Sequence, residues 1–471
     1  MEDSKITKII RALIVIVVMA AALIICMRIL VLKSEDGIKQ MESYYLQEED
    51  TVDALLMGSS HIYCDVNTGV LWDEYGISAY DLGGAEQPYW NTYYFLKEAV
   101  KTQKPKVIVI DVTIPGIRSV EYQPEVWSVT NLYGIKWNRN RIDATRASTQ
   151  GDIFDRVINP FNTMHTRYDE LTKDDFVDEN RSINYKGFDM REAVVPFEMR
   201  DMSDINDTKP MTEKEETYFR KIIEFTKENN IPLLLVSVPF PVYRYEGAQE
   251  IYNYEFMIAG EEGIPYIDFN KGHYDKMGLD FSTDLADEFH LNTSGNEKFS
   301  KYLGNILVEQ YGLVDHRGDK KYSSWDVDAY KQRLERNNNT LAYAQHEPSE
   351  FAKNVLNEGY YAFVNISRGL GEGLDENMSE SLEIMGIPGD KQVSGSAYIL
   401  KDGEIISENT GDYREAVREG SKSLLFTLEK EGDTPMNVSL FVNDDEYKEE
   451  YDNLLFVYDY VNGIFVDKVH F

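Results

Sequence analysis

The feature that most constrains the fold of this chain is a series of short, mainly apolar runs that do not alternate with polar residues. They lie at residues 53–57, 79–84, 105–112, 231–238 and 263–269. Stretches with helical patterning separate or follow them, at residues 71–75, 91–102, 212–229 and 294–311. Strands that are apolar on both faces must be covered on both faces, as in a parallel sheet flanked by helices. The sequence therefore predicts an α/β fold with a doubly wound, mostly parallel sheet.

Two polar motifs fall at strand-to-helix junctions of this predicted sheet. Gly58-Ser59-Ser60 follows the first strand, and Asp287-Glu288-Phe289-His290 precedes the last helix. Open α/β sheets bind ligands at the carboxyl ends of their strands, so we expect the two motifs to meet there. Serine is a weak nucleophile until a base takes its proton, and a histidine oriented by an aspartate is such a base.

These motifs give a catalytic hypothesis with assigned roles. Ser60 is predicted to be the nucleophile, His290 the general base, and Asp287 the residue that holds the imidazole tautomer. The backbone amides of Ser60, Gly83 and Gly84 are predicted to donate to the developing oxyanion. Either motif alone also fits a plain turn or a surface ion pair. Their joint occurrence at junctions of one sheet favours the catalytic interpretation.

His290 is selected from seven histidines. The others lack either the position or the acidic neighbour that a general base needs. They are His61, which follows the serine directly and is expected to point elsewhere; His165 and His273, in irregular segments without a suitably spaced acid; and His316, His346 and His470, in the linker or the carboxy-terminal domain.

The amino terminus carries an apolar stretch long enough to cross a membrane. Residues 9–32 are apolar apart from Arg11 and Arg28, which reaches the ~20 residues that a spanning helix needs. A cleaved signal peptide is the alternative, but the small-residue cluster at residues 20–22 is followed by further apolar residues. We therefore expect an uncleaved transmembrane anchor at residues 1–33.

Charges around the apolar stretch predict its orientation. Lys5, Lys8 and Arg11 precede or open the stretch, whereas Glu35 and Asp36 follow it. Cytoplasmic flanks of membrane helices carry an excess of Lys and Arg. The sequence thus predicts a single-pass protein of the cell membrane with a cytoplasmic amino terminus and extracellular domains.

At 471 residues the chain is longer than one ordinary core supports, so two folded units are expected. A change from helical patterning to short strands between Gly, Asn and Asp turns indicates a β-rich carboxy-terminal domain. The predicted organisation is an anchor at 1–33, a stalk at 34–50, a catalytic domain at 51–313 with an insertion at about 116–200, a linker at 314–350 and an accessory domain at 351–471.

Charge and cysteine content exclude some classes of function. The formal net charge of −34 argues against nucleic acid, whose phosphates would be repelled. The two cysteines are Cys26, in the apolar stretch, and Cys64, after the serine turn, so a disulfide between them is not expected. No residue pattern predicts a metal or cofactor.

The motifs resemble those of the SGNH/GDSL hydrolase superfamily over residues 50 to 312. The matching segments are Gly58-Ser59-Ser60-His61, Asp81-Leu82-Gly83-Gly84 and residues 287–295. The resemblance is narrower to the membrane-anchored branch that includes the teichoic-acid D-alanylation protein DltD and alginate O-acetylation proteins, which residues 167–171 and 186–188 also resemble. It implies that Ser60 is the nucleophile and that the Asp-x-x-His motif supplies Asp287 and His290.

One superfamily block has no counterpart here. Asp111-Val112-Thr113 stands where a Gly-x-Asn-Asp block is expected, so no asparagine is assigned to the oxyanion hole and Thr113 is a weak substitute. In the carboxy-terminal domain, residues 394–398, 454–459 and 466–471 loosely resemble the FAM3 interleukin-like domain. That resemblance implies a small sandwich-like β fold with carbohydrate association, and an accessory domain without a ligand fits equally well.

The sequence thus predicts a membrane-tethered, extracytoplasmic serine esterase or O-acyltransferase acting on cell-envelope or capsular glycans. The resemblance implies acetyl or similar small acyl groups, handed over by a membrane acyltransferase partner. Hydrolysis and transfer stay open, because water and a sugar hydroxyl attack the same acyl-enzyme. The alternative is a non-catalytic envelope scaffold or glycan-binding protein.

Overall fold

A computed structural model describes residues 5–30, 35–124, 127, 129–151, 165–172, 175–176, 185–343 and 348–470. The chain divides into two compact units, Met1–Ala329 and Tyr330–Phe471. The first unit holds every residue of the predicted site. Part of the predicted insertion at 116–200, and His346 of the predicted linker, lie outside the described residues.

The first unit is built on a five-stranded parallel sheet in the order β2-β1-β3-β4-β5. Its strands are β1 (Ala54–Gly58), β2 (Ala79–Gly83), β3 (Val107–Asp111), β4 (Leu233–Ser237) and β5 (Tyr266–Asp268). The predicted doubly wound α/β class is confirmed. Because the chain leaves β1 for β2 on one side and reaches β3 on the other, the carboxyl end of β1 is the point where the strand order reverses, which is where such sheets form crevices.

Helices cover both faces of this sheet. In chain order, the helices of the first unit are α1 (Lys5–Leu30), α2 (Gln40–Tyr44), α3 (Ser60–Asp65), α4 (Thr68–Tyr75), α5 (Tyr89–Ala99), α6 (Thr113–Ile117), α7 (Arg139–Ser148), α8 (Glu213–Glu228), α9 (Ala248–Glu262), α10 (Tyr274–Met277) and α11 (Thr293–Tyr311). Short 3-10 turns lie at Thr130–Gly134, His165–Asp169, Tyr185–Gly187, Val242–Arg244 and Lys320–Tyr322, and a π turn at Glu35–Lys39.

Successive residues of each strand point into different cores, which explains why the strands are apolar throughout. On β1, Leu55 and Met57 pack with residues of α5, α8 and α9. Ala54 and Leu56 pack on the opposite face with residues of α3, α4 and α11. All four side chains are fully buried, as expected for a strand covered on both sides.

The segment predicted as a stalk, residues 34–50, contains helical turns at Glu35–Lys39 and Gln40–Tyr44. Met41 and Tyr44 of α2 are fully buried in the core of the first unit. The Tyr44 ring contacts the Tyr80 ring edge-on, and the Tyr80 hydroxyl donates to the carbonyl of Gln40. Most residues of this segment are polar, which favours exposure, but the buried side chains of Ile38, Met41 and Tyr44 pack it onto the first unit.

The amino-terminal helix is long and apolar enough to span a membrane over Lys8–Leu30. Its large apolar side chains, such as Ile16, Val17 and Met19, are exposed. At its carboxyl end, the Arg167 guanidinium donates to the carbonyl of Leu30 at 2.6 Å. A cation at this end of a helix also complements the helix dipole.

The second unit is rich in antiparallel β structure, as predicted. One sheet has the order β14-β13-β6-β7-β8 and the other β12-β11-β10-β9. The strands are β6 (Tyr360–Ile366), β7 (Ser396–Lys401), β8 (Glu404–Thr410), β9 (Arg414–Glu419), β10 (Lys422–Glu431), β11 (Thr434–Val442), β12 (Asp445–Glu450), β13 (Leu454–Asp459) and β14 (Ile464–His470).

Two apolar clusters cover the two faces of the five-stranded sheet. Phe363 and Phe456 pack with Phe426 of the four-stranded sheet. On the other face Val364 and Leu455 pack with helical residues. The helices are α12 (Ser323–Tyr343), α13 (Pro348–Val355) and α14 (Glu376–Ile384), with a 3-10 turn at Gly389–Lys391. The whole of the 21-residue helix α12 lies within the predicted linker at 314–350.

Candidate active site

A sharp strand-to-helix turn presents Ser60. Strand β1 ends at Gly58, whose φ of +149° disfavours other residues and where a Cβ would lie 2.8 Å from Cβ of Asp111. Ser59 then caps α3, its hydroxyl accepting a hydrogen bond from the His61 amide at 3.3 Å. Ser60 is the first residue of the helix and is half-buried. The glycine and the capping serine therefore fix the direction in which Ser60 leaves the sheet.

The segment that precedes α11 presents His290. The Asp287 carboxylate accepts hydrogen bonds from the amides of Phe289 and His290, at 2.7 and 2.9 Å, which closes a tight turn. The His290 carbonyl accepts from the Ala286 amide at 2.8 Å. The turn is thus held by local hydrogen bonds that the Asp-x-x-His spacing makes available.

The structure brings Ser60, His290 and Asp287 together. His290 Nε2 lies 2.8 Å from the Oγ atom of Ser60. Its Nδ1 atom lies 3.0 and 2.9 Å from the two carboxylate oxygens of Asp287. The His290 side chain is 14% exposed and that of Asp287 46% exposed, so solvent reaches the group. This is the geometry in which an imidazole can take a serine proton.

The charge of Asp287 is maintained by its neighbours. Partial burial alone would raise the pKa of this carboxyl group, but hydrogen bonding and charge from His290, with the amides of Phe289 and His290, lower the pKa from its ordinary 3.8 to about 2. Asp287 is therefore ionised at neutral pH. An ionised carboxylate stabilises the imidazolium that forms when His290 takes a proton.

The amides predicted to bind an oxyanion lie beside this turn. In the parallel register Gly83 of β2 stands opposite Gly58 of β1. A Cβ at Gly83 would lie 2.7 Å from the carbonyl oxygen of Gly58, so a side chain has no room there. The Gly84 amide donates to the Gly58 carbonyl at 3.3 Å. Gly84 would have to give up that bond to serve as an oxyanion donor.

The side chains of Asp111 and Thr113 lie behind the turn. The Ser59 hydroxyl donates to Asp111 Oδ2 at 3.0 Å, and both the amide and the hydroxyl of Thr113 donate to Asp111 Oδ1. Thr113 is fully buried. This Asp111 network supports the turn at Ser59, and in it the Thr113 hydroxyl is committed to a carboxylate. Thr113 is therefore a poor oxyanion donor.

Sequence analysis missed a buried asparagine beside Gly84. A Cβ built on Gly84 would lie 2.7 Å from Nδ2 of Asn131, and that Nδ2 donates to the carbonyl of Ala85 at 2.9 Å. Asn131 is 2% exposed. It lies in a segment of weak periodicity, so no sequence signal pointed to it.

Sequence analysis also missed a second histidine–carboxylate pair. His61 makes no hydrogen bond to Ser60 among those described, but its ring centroid lies 5.4 Å from that of His290. Its Nδ1 atom lies 3.2 Å from Oδ2 of Asp65, and both side chains are buried. Burial lowers the pKa of His61 and raises that of Asp65. The spacing of four residues would have indicated this pair, had α3 been predicted as a helix.

His316, which sequence analysis set aside, also has a carboxylate partner. Its Nε2 atom lies 2.7 Å from Asp53 Oδ2. Asp53 precedes β1, at the opposite end of that strand from Ser60. This pair is therefore separate from the candidate active site.

Comparisons with known proteins return GDSL-type structures. No protein-family model matches the chain, and no curated protein does. Among solved structures, the chain is similar to one named as a lipolytic protein of the G-D-S-L family from Desulfitobacterium hafniense, with 12% identity, 54% of this chain and 99% of that chain covered, and a TM-score of 0.28.

Two further structures are of the same kind. One is named as an acylhydrolase from Bacteroides fragilis, with 12% identity, 57% and 93% covered, and a TM-score of 0.29. The other is a GDSL-like lipase from Bacteroides thetaiotaomicron, with 13% identity, 54% and 86% covered, and a TM-score of 0.27. The matches concern neither the DltD-like branch nor the FAM3 resemblance.

Proposed function

We propose that this protein is a membrane-tethered serine esterase or O-acyltransferase that works through an acyl-enzyme on Ser60. The observation that carries the proposal is the 2.8 Å separation between the Ser60 hydroxyl and Nε2 of His290, whose other ring nitrogen faces Asp287. In the first step His290 takes the Ser60 proton while Oγ bonds to the acyl carbon. The imidazolium then returns the proton to the departing alcohol.

The second half of the reaction decides between hydrolysis and transfer. Water, or a sugar hydroxyl, attacks the acyl-enzyme while His290 takes its proton, and the acyl–Ser60 bond breaks. We propose glycans of the cell envelope or capsule as the substrate class, and a membrane acyltransferase as the partner that supplies acyl groups. The motif resemblance supports both parts of this proposal. The basic residues ahead of the apolar helix support an extracytoplasmic active site.

A serine-directed fluorophosphonate probe tests the enzyme proposal. Full-length protein in detergent should be labelled, and the Ser60→Ala variant should not be. Ser59→Ala is the matched control, because Ser59 is the neighbouring hydroxyl but is bonded to Asp111. We expect that variant still to be labelled, but more slowly than wild type, because it keeps the Ser60 hydroxyl and loses the hydroxyl that supports the turn. Absence of labelling in folded wild-type protein, or loss of label in Ser59→Ala but not in Ser60→Ala, would contradict the proposal.

A second assay tests the reaction type. Wild-type protein should hydrolyse a small acetyl ester, and Ser60→Ala should not. An acetyl-ester donor is then supplied together with a neutral oligosaccharide, and the products are examined by mass spectrometry. Acetylated oligosaccharide identifies a transferase, whereas free acetate alone identifies an esterase.

A further inference from the structure

Asp65 is a buried carboxylate that the proposed reaction does not use. It is the last residue of α3, the helix that begins with Ser60. Its Oδ1 atom accepts a hydrogen bond at 2.7 Å from the amide of Leu291, the residue that directly follows His290. One side chain thus links the helix of the nucleophile to the segment of the base, across 226 positions of sequence.

The other oxygen of Asp65 contacts His61. Oδ2 lies 3.2 Å from Nδ1 of His61, a residue that is 1% exposed. The centroid of the His61 ring lies 5.0 Å from that of Phe240 and 5.4 Å from that of His290. Asp65 therefore binds the main-chain amide that follows His290. It also contacts the His61 ring, which packs against the His290 ring.

The placement of Asp65 has an energetic consequence. A buried carboxyl group is unfavourable unless hydrogen bonds satisfy its oxygens, and here both oxygens have partners. An apolar residue at position 65 would leave the buried Leu291 amide unpaired. The His290 main chain is already held by Asp287 and Ala286 within its own segment. The Asp65 contact is different, because it ties this segment to the Ser60 helix.

We propose that Asp65 is a positioning residue of this active site. By anchoring the Leu291 amide it sets the distance between His290 Nε2 and the Ser60 hydroxyl. The inference rests on the proposed serine chemistry for its effect on rate, but not for the anchoring itself. A displacement of about 1 Å between reacting groups typically lowers a rate about 100-fold.

Variants at position 65 separate anchoring from a general loss of structure. Asp65→Ala removes both contacts, whereas Asp65→Asn keeps an acceptor oxygen for the Leu291 amide. In full-length protein we expect Asp65→Ala to lower kcat for a small acetyl ester about 10- to 100-fold, with KM within about 3-fold. Asp65→Asn should restore kcat to within about 3-fold of wild type. If Asp65→Ala does not fold, Asp65→Ser replaces it with the same expectation, since its side chain is too short to reach Leu291.

Hydrogen exchange supplies a readout that does not depend on activity. The Leu291 amide should exchange faster in Asp65→Ala than in wild type and should be protected again in Asp65→Asn. Three results would each overturn the proposal: unchanged exchange at Leu291, a kcat of Asp65→Ala within 2-fold of wild type, or an Asp65→Asn variant as impaired as Asp65→Ala. If wild type lacks esterase activity but the exchange pattern appears, the serine chemistry fails and the anchoring stands.

Discussion

Nε2 of His290 lies 2.8 Å from the Oγ atom of Ser60, and the two residues are 230 positions apart in the chain. A neutral imidazole donates from one ring nitrogen and accepts at the other. Because Nδ1 of His290 faces the ionised Asp287 carboxylate, the proton sits on Nδ1. Nε2 is then the acceptor that faces the serine hydroxyl. Asp287 therefore controls whether His290 can act as a base.

This relationship predicts a large loss of turnover in Asp287→Asn. An asparagine amide can donate to Nδ1 and favour the tautomer whose Nε2 carries the proton, which cannot accept one from Ser60. We expect kcat for a small acetyl ester to fall about 10⁴-fold, with little change in KM. Glu288→Gln is the matched control, because Glu288 is the adjacent, half-exposed carboxylate and pairs with Arg244. Steady-state kinetics should show Glu288→Gln within a few-fold of wild type, and equal losses in both variants would refute the assigned role.

The lowered pKa of Asp287 predicts a dependence of stability on pH. A carboxyl group whose pKa falls from 3.8 to about 2 on folding stabilises the folded state when ionised. That contribution is complete above the unfolded value and disappears as the pH falls through about 2. The difference in free energy of unfolding between wild type and Asp287→Asn should therefore shrink as the pH falls from about 5 towards 3. Urea unfolding at each pH measures this difference in free energy of unfolding. A difference that increases as the pH falls would contradict the prediction.

Gly187 provides a test of the packing around β2. Its φ is +93°, and a Cβ there would lie 1.9 Å from the carbonyl oxygen of Asp81, a backbone atom that cannot rotate away. Gly187→Ala should lower the free energy of unfolding of the first unit by about 3 kcal/mol or more. Gly260→Ala is the control, since Gly260 lies in α9 with nothing within 4 Å of the added Cβ. The free energy of unfolding of that variant should increase by up to about 1 kcal/mol, because alanine has a higher helix propensity than glycine. Chemical denaturation measures both changes. Equal effects at the two glycines would be incompatible with the close approach.

The parts of the site that sequence could predict are those encoded locally. An apolar run precedes Gly58, Ser59 and Ser60, and Asp287 stands three residues before His290. Each motif can therefore be recognised from a few consecutive residues. The contact between Asp65 and Leu291 cannot be predicted in this way. It joins residues 226 positions apart, and its donor is a main-chain amide that has no sequence signature. The His61–Asp65 pair became visible only once residues 60–65 were known to be helical.

The same distinction holds for the folds of the two units. The sheet strands of the first unit are apolar on both faces, and they were predicted close to their observed bounds. The outer strands of the four-stranded sheet, β9 and β12, carry a weaker sequence signal, because most of their residues are charged and none is fully buried. Residues 34–50 are predicted to be a stalk, because a few apolar residues in a polar segment do not reveal a tertiary contact.

The burial of α2 predicts where the membrane helix can be removed. A chain that starts at residue 35 keeps Met41 and Tyr44, which are fully buried against the sheet. It should fold, leave the membrane fraction and keep its turnover of a small acetyl ester. A chain that starts at residue 51 loses these side chains and leaves a gap beside Tyr80, so it should unfold at lower urea concentration or fail to accumulate. Fractionation and urea unfolding of the two truncations distinguish these outcomes. Equal stability of the two truncated chains would contradict the stabilising role of α2. Retention of the longer chain in the membrane fraction would show that α1 is not the membrane anchor.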